Sequence, residues 1–223
     1  MEFNTQYPTL KGPKFIAIEG AIGVGKTSLC KRIAEIFDGE LLLEQAAQNP
    51  FLEKFYANPK QFAFQTQLFF LMQRAQQVSE LRQNDMFQSI RIADFLIDKD
   101  SLFAKVNLNP DEYNLYMQVY DHLVINAPKP DLVVYLQAPS DVLMQRINKR
   151  GIKSEKYITH AYLNQIIEAY TEFFHFYNDA PLLIVNATEV DFINSEHDFK
   201  NLLDAIVNTK TGRHFINPQT HRA

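Results

Sequence analysis

The chain has 223 residues, 46% of them hydrophobic and 22% charged, a balance that suits one substantial core rather than a disordered or fibrous chain. A formal net charge of -4 argues against a non-specific grip on nucleic acid, which needs a clustered basic face to neutralise phosphates. A single cysteine, Cys30, excludes an intramolecular disulfide, and the apolar runs are strand-sized, well short of the roughly 20 residues that cross a bilayer.

With no apolar leader at its start, the chain is expected to be soluble and cytoplasmic, with neither membrane nor nucleic acid as a partner. In chain order, Lys14 to Glu19 (KFIAIE) predicts a strand ending at Gly20, and Gly25 through Phe37 has helical apolar spacing. Leu41 to Leu43 predicts a second strand with Glu44 at its tip, before Asn49 and Pro50 reset the chain. Phe51 to Arg82 reads as helix broken near Pro59. Phe87 to Phe95 reads as a third strand with Asp94 near its end. Helical stretches run to about Asn126, and Pro128 and Pro130 mark a boundary. Asp131 to Gln137 (DLVVYLQ) is a continuous apolar strand of the kind buried on both faces of a parallel sheet. A helix from Pro139 and Ser140 to Gly151, a long helix from about Ile158 to Tyr177, a strand Leu182 to Asn186 and a helix Phe199 to Val207 complete the series. The expected fold is therefore α/β, a doubly wound parallel five-stranded sheet in one domain over 1–223, with flexible ends at about 1–12 and 209–223. In such sheets ligands bind outside the carboxyl ends of the strands, where Gly20, Glu44 and Asp94 fall.

Gly20-Ala21-Ile22-Gly23-Val24-Gly25-Lys26-Thr27 fits G-x-x-x-x-G-K-[ST] in full and lies between a predicted strand and a predicted helix. The chain has seven glycines and three lie in this loop, which lets backbone N–H groups turn inward around phosphate oxygens. The following helix N-terminus, where Ser28 also stands, adds positive potential. Lys26 is placed to reach the β- and γ-phosphates of ATP, and Thr27 to hold Mg²⁺. An alcohol attacking phosphorus needs a group to take or orient its proton, and Glu44 is the strand-tip carboxylate for that task. Asp94 either holds Mg²⁺, directly or through water, or caps the next helix.

At this point the sequence resembles the deoxynucleoside kinase family from about Lys14 to Tyr177. FIAIEGAIGVGKT is similar to the family's opening, and the block from Asn49 to Arg74 to its substrate-binding helices. The resemblance implies that Tyr56 contacts the sugar 3′-hydroxyl, that Gln67 pairs with the base edge and that Arg74 helps to read the base. Gln67 and Arg74 stand two helical turns apart, so one face presents both. Ile92 to Leu108 resembles the block with the family's acidic-Arg-Ser motif and its base-stacking phenylalanine, which puts Asp94 at the acidic position and Phe103 at the stacking one. Phe95 stands where the motif has arginine. The segment from Arg146 to Gly151 resembles the family's lid, about 146–156. Arg146 and Arg150, four apart on one helix face, are expected to clamp phosphates together, with Ile152 at a third arginine position and Lys153 beside it. Glu155 matches the lid glutamate that joins the tyrosine at the 3′-hydroxyl. The family also implies a homodimer.

The resulting expectation is an ATP- and Mg²⁺-dependent transferase acting on the 5′-hydroxyl of a deoxynucleoside, with a lean to purines. One alternative is a nucleoside monophosphate kinase such as a thymidylate kinase. The other, of a different class, is a P-loop nucleotide-binding module without transfer activity. Cys30 reads as a buried structural thiol, and the 18 phenylalanines and 10 tyrosines mostly as core.

Overall fold

The computed structural model of the chain describes residues 14–83, 90–123 and 127–217. Strands are separated by one or two helices along it: β1 (Phe15–Gly20), α1 (Lys26–Phe37), β2 (Glu40–Leu42), α2 (Leu52–Ala57), α3 (Pro59–Gln83), β3 (Arg91–Ala93) and α4 (Lys99–Asn107) come first. Then follow α5 (Pro110–Leu123), β4 (Leu132–Gln137), α6 (Ser140–Arg150), α7 (His160–Phe176), β5 (Leu182–Asn186), α8 (Glu196–Asn208) and β6 (Arg213–Ile216). The expected start of the third strand at Phe87, the helical end at Asn126, and the termini 1–12 and 218–223 lie outside the described residues.

All strand pairs are parallel, in the order β2-β3-β1-β4-β5-β6. The central strands are apolar without alternation because helices cover both faces: Ile16, Ala17, Ile18, Leu132, Val133 and Val134 are fully buried. Burying each of their larger side chains stabilises the fold by about 1.5–3 kcal/mol. Asp131 opens its strand by accepting hydrogen bonds from the backbone N–H groups of Lys14 (2.8 Å) and Phe15 (2.9 Å), which locks β1 and β4 in register. On the far face, Tyr135 of β4 stacks with Phe174 and Tyr170 of α7, with ring centroids 4.3 and 5.8 Å apart. Pro59 takes the first position of α3, where its missing N–H is tolerated, and α2 stops two residues earlier.

The sheet has six strands rather than five. The tail from Thr209, expected to be loose, continues through Gly212 into β6, which pairs with β5 from Leu182↔Arg213 to Val185↔Ile216. Its exposed sequence, two polar residues followed by Phe215 and Ile216, carries no alternation to betray a strand. The pairing forms because β5, buried on both faces, otherwise presents an open edge. Arg213 adds a second tie by donating to the carbonyls of Phe174 (2.9 Å) and His175 (3.0 Å) at the end of α7. No helix among the described residues is long and apolar enough to cross a membrane.

Candidate active site

The tips of β1, β2 and β3 meet above the sheet. Gly20 (φ 144°) leaves β1 in a conformation closed to other residues, and a Cβ there would stand 2.4 Å from the Leu136 carbonyl oxygen. Gly25, in the left-handed region, starts α1, and no side chain caps that helix, so the first-turn N–H groups face outward as an anion cradle. Lys26 bends back over the loop, its ammonium donating to the carbonyls of Gly20 (2.8 Å) and Ala21 (3.3 Å). Burial, together with the neighbouring Lys99 charge, lowers its pKa, and Glu19, Glu44 and Asp94 oppose that shift.

Asp94, 3% exposed, joins two of the three tips. One carboxylate oxygen accepts from the Thr27 hydroxyl at 2.5 Å and the other from the Glu44 backbone N–H at 2.7 Å. It therefore ties the phosphate loop to the residue at the end of the second strand, and it does not cap a helix. The carboxylate and hydroxyl suit a hard divalent cation, which favours oxygen ligands.

Glu44 sits at the centre of a buried charge network. One of its oxygens accepts from the guanidinium of Arg74, and the other lies 3.6 Å from the Lys99 ammonium. Arg74 also pairs with Asp100, and its guanidinium carbon lies 5.4 Å from the Phe70 ring centre and 5.8 Å from that of Phe95. Burial pushes the Glu44 pKa up, but Arg74, Lys99 and Lys26 outweigh it and hold the group at about 2. Glu44 is thus an anion throughout the neutral range.

A cavity of about 160 Å³ opens beside this network. Its walls bring together most residues singled out from sequence: Ile22, Gly23, Lys26, Thr27, Glu44, Tyr56, Gln67, Arg74, Asp94, Phe103, Arg150 and Glu155. Asn49, behind the lining, ties the start of α2 to α3: its amide donates to the Thr66 carbonyl (3.1 Å) while its oxygen accepts from Phe51 N–H (3.0 Å). Tyr56 packs on Phe55 and Tyr162, and burial raises its phenol pKa well above the ordinary value. Phe103 stands edge-on to Tyr170 at 6.0 Å. Gln67 and Arg74, 4% exposed each, look inward from one face of α3.

The two lid-helix arginines part company. Arg150 lines the cavity and donates to both Glu155 carboxylate oxygens, at 2.7 and 2.8 Å. Arg146 lies on the phosphate-loop side, donating to the carbonyls of Ala187 (2.7 Å), Thr188 (3.3 Å) and Val24 (3.4 Å). Cys30 is fully buried beneath the loop, and desolvation pushes its thiol pKa well above the usual range.

Three charged residues escaped the sequence reading. Glu19, fully buried, accepts from Leu96 N–H (2.5 Å), the Tyr170 hydroxyl (2.8 Å) and Gly20 N–H (3.2 Å), and lies 3.7 Å from Lys99. Lys99 and Asp100 are 3% and 0% exposed. Glu19 ends an apolar strand just as Glu44 and Asp94 do, so the rule that found those two applies to it. Asp98-Lys99-Asp100 has the look of a solvated run.

Residues 16–210 match the family model described as deoxynucleoside kinase. The deoxyguanosine kinase of Bacillus subtilis is 35% identical over 193 residues, covering 84% of this chain and 93% of that one. The deoxyadenosine kinase of Dictyostelium discoideum is 30% identical over 224 residues, covering 97% and 88%. The structure of deoxyadenosine kinase from M. mycoides with bound dATP superposes with a TM-score of 0.74 at 28% identity, covering 86% of this chain and 98% of that one.

Proposed function

This chain belongs to the deoxynucleoside kinase family and is an ATP-dependent kinase of deoxynucleosides, and we propose that Glu44 orients the acceptor and receives its proton. The 5′-oxygen bonds to the γ-phosphorus of ATP, the bond from that phosphorus to the β,γ-bridging oxygen breaks, ADP leaves, and the hydroxyl proton passes to Glu44. A carboxylate with a pKa near 2 is a weak base. It suffices because phosphoryl transfer through a loose transition state depends mainly on positioning and charge, with proton transfer late.

Thr27 and Asp94 would hold Mg²⁺, which would offset negative charge on the phosphates of ATP. The glycine loop and Lys26 receive those phosphates. Arg146, on the donor side, and Arg150, on the acceptor side, contribute fixed positive charge as segment 146–156 closes like a lid. On the acceptor, Tyr56 and Glu155 take the 3′-hydroxyl, Phe103 stacks on the base, and Gln67 with Arg74 reads its edge. The names of the two relatives described above, a deoxyguanosine kinase and a deoxyadenosine kinase, support a purine deoxynucleoside. A cytoplasmic homodimer is the form in which we place the enzyme.

The observation that carries this reading is the convergence of Glu44, Asp94, Thr27 and Lys26 on one cavity whose other walls are Tyr56, Gln67 and Phe103. A monophosphate acceptor would call for an arginine beside the attacking oxygen, and position 95 is phenylalanine. The test is γ-labelled ATP with the four deoxynucleosides, their monophosphates and the ribonucleosides, comparing wild type with Glu44→Gln and Lys26→Ala. Label is expected on purine deoxynucleosides. Both variants should lose about 10²-fold or more in kcat. Transfer to monophosphates alone would overturn the acceptor assignment; nucleotide binding without any labelled product would leave only a binding module.

A further inference from the structure

Glu44 is fixed to the phosphate loop by two routes, one through its backbone N–H and one through its carboxylate, and the second has no assigned purpose. The first runs from Glu44 N–H through Asp94 to Thr27, on the helix side of the loop. The second runs from the Glu44 carboxylate (3.6 Å) to the Lys99 ammonium, on to Glu19 (3.7 Å), and from Glu19 to Gly20 N–H (3.2 Å), on the strand side. Glu19 is a rigid anchor: it is fully buried and accepts from two backbone N–H groups and the Tyr170 hydroxyl.

From this geometry we propose that Lys99 is a positioning residue for phosphoryl transfer, registering Glu44 against the phosphate loop through Glu19. The inference rests on the assignment of Glu44 as proton acceptor.

Three observations favour it over a purely structural ion pair. Glu19 already receives three hydrogen bonds, so neutralising that carboxylate does not require the ammonium to face Glu44 or the cavity. Lys99 does both. The two oxygens of Glu44 meet different cations, Arg74 from α3 and Lys99 from α4, so neither its rotation nor its translation is left to one contact. Finally, the connection from Asp94 to Asp98 contains no cation, and Phe95 within it packs in an apolar cluster with Val78, Ala93 and Ile97. The positive charge facing Glu44 from this side enters four residues later, at the first position of α4.

The experiment compares wild type with Lys99→Met, Lys99→Met/Glu19→Gln and Glu44→Gln, measuring kcat and both KM values with ATP and a purine deoxynucleoside, and thermal melts. Lys99→Met leaves Glu19 without its cation and is expected to lower the melting temperature. The double variant removes both charges and is expected to melt above Lys99→Met, so the pair stays testable if the single variant folds poorly. A misplaced base costs on the order of 10²-fold, so kcat is expected to fall by about that factor in both, with KM values changed by less than about threefold. If the folded double variant keeps wild-type kcat, Lys99 serves only to neutralise Glu19 and the inference is wrong. Glu44→Gln separates the two levels of the argument: retained transfer there removes the proton acceptor itself, whereas loss in Glu44→Gln alone condemns only Lys99.

Discussion

Replacing Arg74 with methionine would take one cation away from two carboxylates that remain in place. Side-chain exposure is 5% for Arg74, 1% for Asp100 and 20% for Glu44. The cost falls mainly on Asp100, because Glu44 retains Lys99 and some solvent. Breaking a buried pair from one side costs about 3–5 kcal/mol. In a chain of this size each 1 kcal/mol moves the melting temperature by about 2–4 °C, so Arg74→Met should melt roughly 6–20 °C below wild type. Replacing both partners is a different matter: Arg74→Met/Asp100→Leu leaves no orphaned charge at Asp100 and should regain most of the loss, a coupling of about 3 kcal/mol. Urea unfolding at pH 7, followed by circular dichroism and calorimetry on wild type, both single variants and the double, measures the cycle. Both Arg74 variants should also lose transfer activity, since Glu44 is no longer held on that side. An Arg74→Met protein within about 1 kcal/mol of wild type, or a double variant less stable than Arg74→Met, would refute the reasoning.

Glu44 titrates at about 2 rather than 4.5 because Arg74, Lys99 and Lys26 outweigh burial; its depressed pKa gives stability that is present above pH 4.5 and lost as pH falls through 2. That contribution is about 3 kcal/mol, so the stability gap between wild type and Glu44→Gln should narrow steadily below pH 4.5 in urea titrations. Gly23 has φ 85°, and an added Cβ would sit 2.8 Å from Ile147 Cγ1 and 3.0 Å from the Leu143 carbonyl. Gly23→Ala should therefore cost at least about 1–2 kcal/mol and abolish the thermal shift produced by ATP; a normal shift would contradict the cradle. Truncation after Thr211 removes β6 and bares the edge of β5, with an expected loss of about 1–3 kcal/mol and new aggregation visible by light scattering.

The parts of this molecule readable from sequence are those where local physics and tertiary structure agree. The phosphate loop was legible because three glycines, a lysine and a threonine at fixed offsets leave few other conformations. β4 was legible because a strand buried on both faces must be apolar throughout. β6 was not, since its stability comes from the edge of β5 and from Arg213 reaching the end of α7, and neither leaves a pattern in Arg213–Ile216 itself. Glu44 and Asp94 stood out as acids at strand tips, whereas Glu19 lies within β1 directly before the glycine loop, where a polar residue also fits an ordinary strand end. Lys99 and Asp100 were hidden for a physical reason. Alternating charges normally mark a solvated surface, and only the fold places this run among Glu19, Glu44 and Arg74 instead.

The lock between Phe15 and Asp131 spans 116 residues of chain. During synthesis at about 5–20 residues per second, β1 leaves the ribosome on the order of 10 s before the strand that completes its pairing on that side. The loop that must greet nucleotide is thus translated first and assembled late. For that interval an apolar strand has no partner from β4, and chaperone demand should concentrate there and ease once Gln137 has emerged.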